Sequence, residues 1–158
     1  MKKLFSVLGV VLVFAVLLCA CGQADGEKQT LSCTLSIKWD TILENMDKLS
    51  AEKKEIIPQD GVVMFDENVS FSQGDNVLDI LKQELKERKI HIDFEENTST
   101  GSAYVKGIAN IYSGDCGDLS GWMIRVNGED LTVGCSEYFP ENGDRIEWLY
   151  TCNMGEDL

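Results

Sequence analysis

Six cysteines, one histidine and a late run of aromatic residues are the side chains of this 158-residue chain with chemistry to offer. The spacing of most of them argues against it. There is no Cys-x-x-Cys, and His91 is the lone histidine, so a zinc site would need four widely spaced thiolates; no metal site is expected. Asp115, Asp118, Glu141 and Asp144 have the charge for Ca²⁺, but their order is not that of an EF-hand loop, and they read as solvated turn acids. No nucleophile elbow, zincin helix or phosphate loop occurs. His91 lies between Ile90 and Ile92, on the wet side of a strand pattern, with no visible partner for general-base work. No catalytic residue and no required cofactor are expected; the chain reads as a non-enzyme. What remains is a set of stacking surfaces: Trp122, Tyr138, Phe139, Trp148 and Tyr150. Trp148 and Tyr150 read as core. Trp122 follows Gly121 at the start of a strand, where core packing and ligand contact are equally open.

These aromatics sit in Ser120 to Tyr150, the stretch that organises the chain. Two Asn-Gly pairs fall in it, Asn127-Gly128 and Asn142-Gly143, and Asn-Gly between apolar runs signals a hairpin turn. Trp122, Ile124 and Val126 alternate with polar or outward residues, as do Ile146, Trp148 and Tyr150, which is the period of half-buried strands. Upstream, Leu31, Cys33, Leu35, Ile37 and Trp39 form one face of a strand. Thr41 to Glu44 has a capping-box pattern and predicts a short helix carrying Ile42, Leu43, Met46 and Leu49. Val62 to Phe65 and Val69 to Phe71 read as two strands about a turn at 66–68. The main helix opens at Asp75 or Asn76 and carries Val77, Leu78, Leu81 and Leu85, with a Glu84–Arg88 pair. Ile90 to Phe94 and Ala103 to Ile111 read as further strands. The sum is an α+β domain over 31–158: a small β-grasp-like curled sheet, one main amphipathic helix and a closing hairpin near the C-terminus.

The N-terminus reads differently. Lys2 and Lys3 precede an apolar run, Leu4 to Leu18, too short to span a membrane comfortably. Leu18-Cys19-Ala20-Cys21-Gly22 resembles a bacterial lipobox, which implies a signal peptide over 1–20, lipidation at Cys21 and a polar tether over 21–30. Lipidation by that route adds more than one acyl chain, enough for stable anchoring. The expected location is the extracytoplasmic face of a bacterial cell membrane, with the bilayer as a partner through Cys21. The net charge of −13 argues against nucleic acid. Four cysteines then remain in an oxidising setting, which suggests two disulfides. Cys33 and Cys152 share the apolar parity of the first and last strands, and Cys116 and Cys135 flank the Trp122 hairpin. The expected pairs are Cys33–Cys152 and Cys116–Cys135, among three possible connectivities.

Gly107-Ile108-Ala109-Asn110-Ile111, the run from Gly121-Trp122 to Asn127-Gly128, Gly134 with Tyr138, and Gly143-Asp144 through Trp148 to Tyr150 together resemble the C-terminal domain of transcobalamin and intrinsic factor. The likeness is closer still to the transcobalamin-like domain of bacterial surface lipoproteins, and covers most of 62–152. The resemblance implies a domain that closes over one side of a corrin. It carries over two candidate ligand segments: Thr100, Gly101, Ser102, Ala103, Tyr104 and Val105, and Trp122, Met123, Ile124, Arg125, Val126, Asn127, Gly128, Glu129, Asp130 and Leu131. Gly101 stands where intrinsic factor has a Trp, and the large helical domain of the animal carriers has no counterpart here. The function it implies is a membrane-anchored binding protein for cobalamin or a related corrinoid, passing it to a membrane transporter. The alternative is a surface module that recognises a protein or a cell-wall polymer and has no small-molecule ligand.

Overall fold

The computed structural model describes residues 28–158; the expected signal segment, Cys21 and most of the tether lie outside them. The chain is α+β, with two open sheets and one main helix. Strand β1 (Thr30–Lys38) is followed by two 3₁₀ turns (Asp40–Glu44 and Met46–Lys48), helix α1 (Ala51–Lys54), β2 (Val62–Ser72), helix α2 (Val77–Glu87), β3 (Ile92–Glu96), β4 (Ala103–Ile108), β5 (Ile111–Tyr112), β6 (Gly121–Val126), β7 (Glu129–Asp130) and β8 (Arg145–Thr151). One sheet runs β2-β1-β8-β6-β7 and the other β3-β4-β5.

The first sheet is built on alternation. Cys33, Leu35, Ile37, Ile146, Trp148, Tyr150, Trp122 and Val126 are all buried. β1 and β8 are neighbours, as the Cys33–Cys152 pair would require, but they run parallel, with Thr34 opposite Arg145 and Lys38 opposite Leu149. β6 lies antiparallel to β8, with Trp122 opposite Tyr150 and Ile124 opposite Trp148. The second Asn-Gly pair makes no hairpin: Ser32 N–H donates to Asn142 Oδ1 at 2.9 Å, and Gly143 N–H to Ser32 O at 2.7 Å, docking the approach to β8 on β1.

Helix α2 is too short to be stable alone. Its N-cap is Asn76, whose side chain accepts from Asp79 N–H while the Asp79 carboxylate accepts from Asn76 N–H. Val77, Leu78, Ile80, Leu81 and Leu85 are buried, each contributing about 1.5–3 kcal/mol by leaving water. The helix reaches both sheets: Gln83 Nε2 donates to Ser70 O on β2, and Lys82 Nζ lies 4.9 Å from the centre of the Phe94 ring on β3.

Four local expectations change. Residues 62–72 form one strand, not two: Glu67 pairs with Leu35 and Met64 with Ile37, so Phe65 and Asp66 together oppose the single residue Ser36 in a β-bulge. Buried Ser36 holds it, its hydroxyl accepting from Asp66 N–H at 2.9 Å. The helix expected after Thr41 is two 3₁₀ turns, because the Thr41 hydroxyl donates to Tyr150 O at 2.6 Å instead of capping. The strand expected over 103–111 folds back at Ala109 and Asn110, both at positive φ, so that Ile111 pairs with Ile108. The Asn127-Gly128 turn forms as expected, but the return strand stops at Asp130.

That early stop and the parallel β1·β8 pairing rearrange the cysteines. Cys33 lies at the start of the β1·β8 ladder and Cys152 just past its far end, separated by roughly 25 Å at about 3.3 Å per residue. Cys135 leaves the hairpin for α2, where its carbonyl accepts from Leu78 N–H. Cys116 Sγ instead stands 2.9 Å from Cys152 Sγ. The expected pairs Cys33–Cys152 and Cys116–Cys135 therefore do not meet.

Candidate functional site

The two candidate segments converge where the sheets adjoin. β5 pairs with β4 only at Gly107 and Ile108, and β7 pairs with β6 only at Arg125 and Val126. No strand therefore pairs with these edges at 103–105 or 121–123, and among the described residues no backbone hydrogen bond joins β4 to β6. Between them lies a cleft of about 190 Å³, lined by Ala103, Tyr104 and Val105 on one side, Trp122, Met123 and Ile124 on the other, and Leu131, Val133, Gly134, Cys135 and Trp148.

Side chains outside the cleft fix its walls. Ser136 Oγ accepts from Ala103 N–H at 2.9 Å and donates to Gly101 O at 3.0 Å, tying the 131–136 loop to the start of β4. Gly134 permits that approach, since a Cβ there would collide with Ser102 Oγ. Tyr104 Oη is 2.6 Å from Ser113 Oγ, and Trp122 Nε1 donates to Ile111 O at 3.0 Å. The Trp122 ring packs between Trp39 and Tyr150, with centroids at 6.3 and 5.3 Å, and the residue is only 7% exposed. Trp122 is therefore first a core residue, with one edge at the cleft. Tyr104 at 52% and Val133 at 48% exposure form the mouth.

The cleft carries no charge of its own. No charged side chain lines it, and burial pushes the Cys135 thiol up to about 11, so that wall is neutral at physiological pH. Its chemistry is apolar and aromatic contact. The polarity changes next door: a wider hollow holds Thr100, Ser102 and Tyr104 with Glu95, Glu96 and Glu137.

Of the sequence-derived candidates, Ala103, Tyr104, Val105, Trp122, Met123, Ile124 and Leu131 meet at the cleft. Thr100 and Ser102 line the acidic hollow, and Gly101 supplies the carbonyl held by Ser136. Val126, Asn127, Glu129 and Asp130 face a separate hollow beside Tyr138. Arg125 Nε donates to Asp130 Oδ1 at 2.6 Å, Asn127 Nδ2 donates to Asp144 at 2.8 Å, and Gly128 shapes the turn. Val133, Gly134 and Cys135 line the cleft without having been singled out for it. Gly134 was the available signal, a glycine outside any turn that needs positive φ.

The fold has known counterparts. The crystal structure of haptocorrin in complex with Cbi superposes with a TM-score of 0.57 at 18% identity, covering 84% of this chain and 28% of that one. A candidate metal binding protein from Ruminococcus gnavus ATCC 29149 superposes less well, with a TM-score of 0.44 at 14% identity over 77% of this chain and 96% of its own. The chain thus spans under a third of the haptocorrin chain. No curated protein matches it in sequence. The family model described as "Domain of unknown function (DUF4430)" matches residues 74–152, from the cap of α2 to the end of β8, and the chain belongs to that family.

Proposed function

We propose that the chain is a binding protein for cobalamin or a related corrinoid, held by Cys21 at the extracytoplasmic face of a bacterial membrane, from which it delivers the ligand to a membrane transporter. It performs no catalysis in this reading. The observation that carries it is the cleft, which brings segments 103–105 and 122–124 together where no strand pairs β4 with β6. The haptocorrin-like fold supports the ligand class, because that structure was solved with Cbi. Size limits the mode. Pockets that enclose a small molecule run to about 300–1,000 Å³, and 190 Å³ is below that range. The cleft therefore takes one edge or face of a large planar ligand, and a second surface completes a tight site.

The test is equilibrium dialysis of the full chain in detergent against cobalamin and cobinamide, with Val133→Asp alongside. Saturable binding weakened at least about tenfold, or about 1.4 kcal/mol, by a variant that still folds supports the reading. Absence of binding up to about millimolar ligand, where about 4 kcal/mol would suffice, removes it. The module that binds a protein or cell-wall polymer then takes its place. One observation favours that second reading: Met154, 71% exposed, and Leu119, 51% exposed, are joined by a Met154 N–H to Leu119 O bond next to Met123 of the cleft wall.

A further inference from the structure

Two sulfurs lie outside the cleft. Cys116 lies in the loop before β6 and Cys152 directly after β8, and both are buried, at 0% and 6% exposure. Each backbone is held independently of the other sulfur. Cys116 N–H and Gly114 N–H both donate to Ser120 Oγ at 3.1 Å, and that hydroxyl donates to Gly117 O at 2.7 Å. Tyr150 Oη, which donates to Tyr112 O, stands 2.9 Å from the same hydroxyl. On the other side Cys152 N–H donates to Asp157 Oδ2 at 2.8 Å. The folded backbone therefore presents the two sulfurs to each other at 2.9 Å. Even carbon atoms, smaller than sulfur, rest about 3.5–4.0 Å apart when not bonded, whereas a disulfide needs about 2.0 Å.

We propose that Cys116 and Cys152 form a disulfide that clamps the loop leading into β6 to the strand end leaving β8. A metal does not explain the pair, because among the described residues no group of three ligating side chains gathers anywhere. The other two cysteines among the described residues stay reduced: Cys33 is on β1, and Cys135 Sγ donates to Ala103 O at 3.1 Å. The oxidant is a disulfide, either a small one such as glutathione disulfide or that of a thiol–disulfide oxidoreductase. One cysteine thiolate attacks an oxidant sulfur and expels the first oxidant thiolate. The second cysteine thiolate then attacks the mixed disulfide and expels the other. Two cysteine thiols become one cystine, the oxidant is reduced to two thiols, and the two protons pass to the departing thiolates. Burial, followed by the hydrogen bond and charge of Cys152, pushes the Cys116 thiol up to about 12 in the folded chain. Exchange therefore belongs to the stage of folding before the loop closes. The finished bond lies under a surface hollow lined by Asn45, Lys48, Asp118 and Asn153.

The experiment refolds the full chain in detergent with glutathione disulfide, blocks free thiols in denaturant and maps peptides without reduction. The expected result is one cross-linked species joining 116 and 152, lighter by two hydrogens, with Cys33 and Cys135 blocked. Cys33→Ala/Cys135→Ala should keep the link, and reductant should lower its urea midpoint as it does for the wild type. Cys116→Ala/Cys152→Ala, if it folds, should lose that response. Blocked thiols at both 116 and 152, or links joining Cys33 to Cys152 or Cys116 to Cys135, overturn the proposal. The peptide map of the wild type decides even if the double variant fails to fold.

Discussion

Along its β8 edge, β6 is paired residue for residue from Gly121 to Val126, whereas along its other edge it meets β4 with no backbone hydrogen bond among the described residues. The first edge is welded: Trp122, Tyr150 and Trp148 lie on one face, buried against Trp39 and Ile37. The second is bridged by side chains, with Tyr104 on Ser113, Trp122 on Ile111 and Ser136 on the start of β4. Stability concentrates in fully buried paired strands, and recognition uses edges that remain unpaired. The two edges of one strand divide these tasks, so substitutions at them should separate folding from binding.

The largest effect should come from the welded side. Trp148→Ala and Trp122→Ala should each cost about 3–5 kcal/mol in urea unfolding, the usual range for a buried aromatic. A Trp122→Ala chain that keeps wild-type stability would break the comparison. The cystine between 116 and 152 acts on the same side, because it spans the ends of β6 and β8. Closing a loop across a separation of 36 residues contributes about 4 kcal/mol in the chain-entropy model, so a reduced chain should unfold at clearly lower urea. Asn76→Ala should remove about 1 kcal/mol by uncapping α2, with cleft binding unchanged. At the open edge, Val133→Asp should move stability by no more than about 0.5 kcal/mol while weakening corrinoid binding; equal losses of both would mean that the second edge is also structural.

The smallest expected effect depends on pH. Burial, then the neighbouring Glu87 and Glu67 charges, raises the Glu84 carboxyl above its ordinary value against the opposing pull of Arg88. The folded state thus holds this proton more tightly than the unfolded chain. The contribution to stability is fully present below the unfolded value and is lost as pH rises through the folded one. Glu84→Gln should therefore gain slightly over the wild type near pH 7 and lose that advantage below about 4.5, the unperturbed value. Urea unfolding at pH 4 and pH 7 measures the difference.

Much of this division was legible beforehand. β1 showed its buried face by alternation alone, and α2 showed both its cap and its stripe, because a period and a cap are local properties. The bulge at 65–66 was not legible: two acids and an asparagine at 66–68 look like a turn unless the partner strand is known to run straight through. The cysteine pairing failed for a related reason. Parity put Cys33 and Cys152 on the apolar side of the first and last strands but did not show whether those strands run parallel, and direction decides which ends meet. At the cleft, the segments carried over by resemblance supplied both walls. Leu131 was included, but Val133 to Cys135 were not, because the second carried-over segment ended at Leu131.

The place of β1 has a kinetic consequence. This first strand is central, between β2 and β8, and its β8 partner lies roughly 110 residues later. The β1·β2 and β4·β5 pairs, and the turn of β6 into β7, close comparatively short loops and can assemble early. The main sheet cannot be finished until β8 is available. A large share of contacts at such separation slows folding, and until β8 arrives both β1 and β6 present bare edges to other chains. The step that completes the core is thus also the step that covers these two edges.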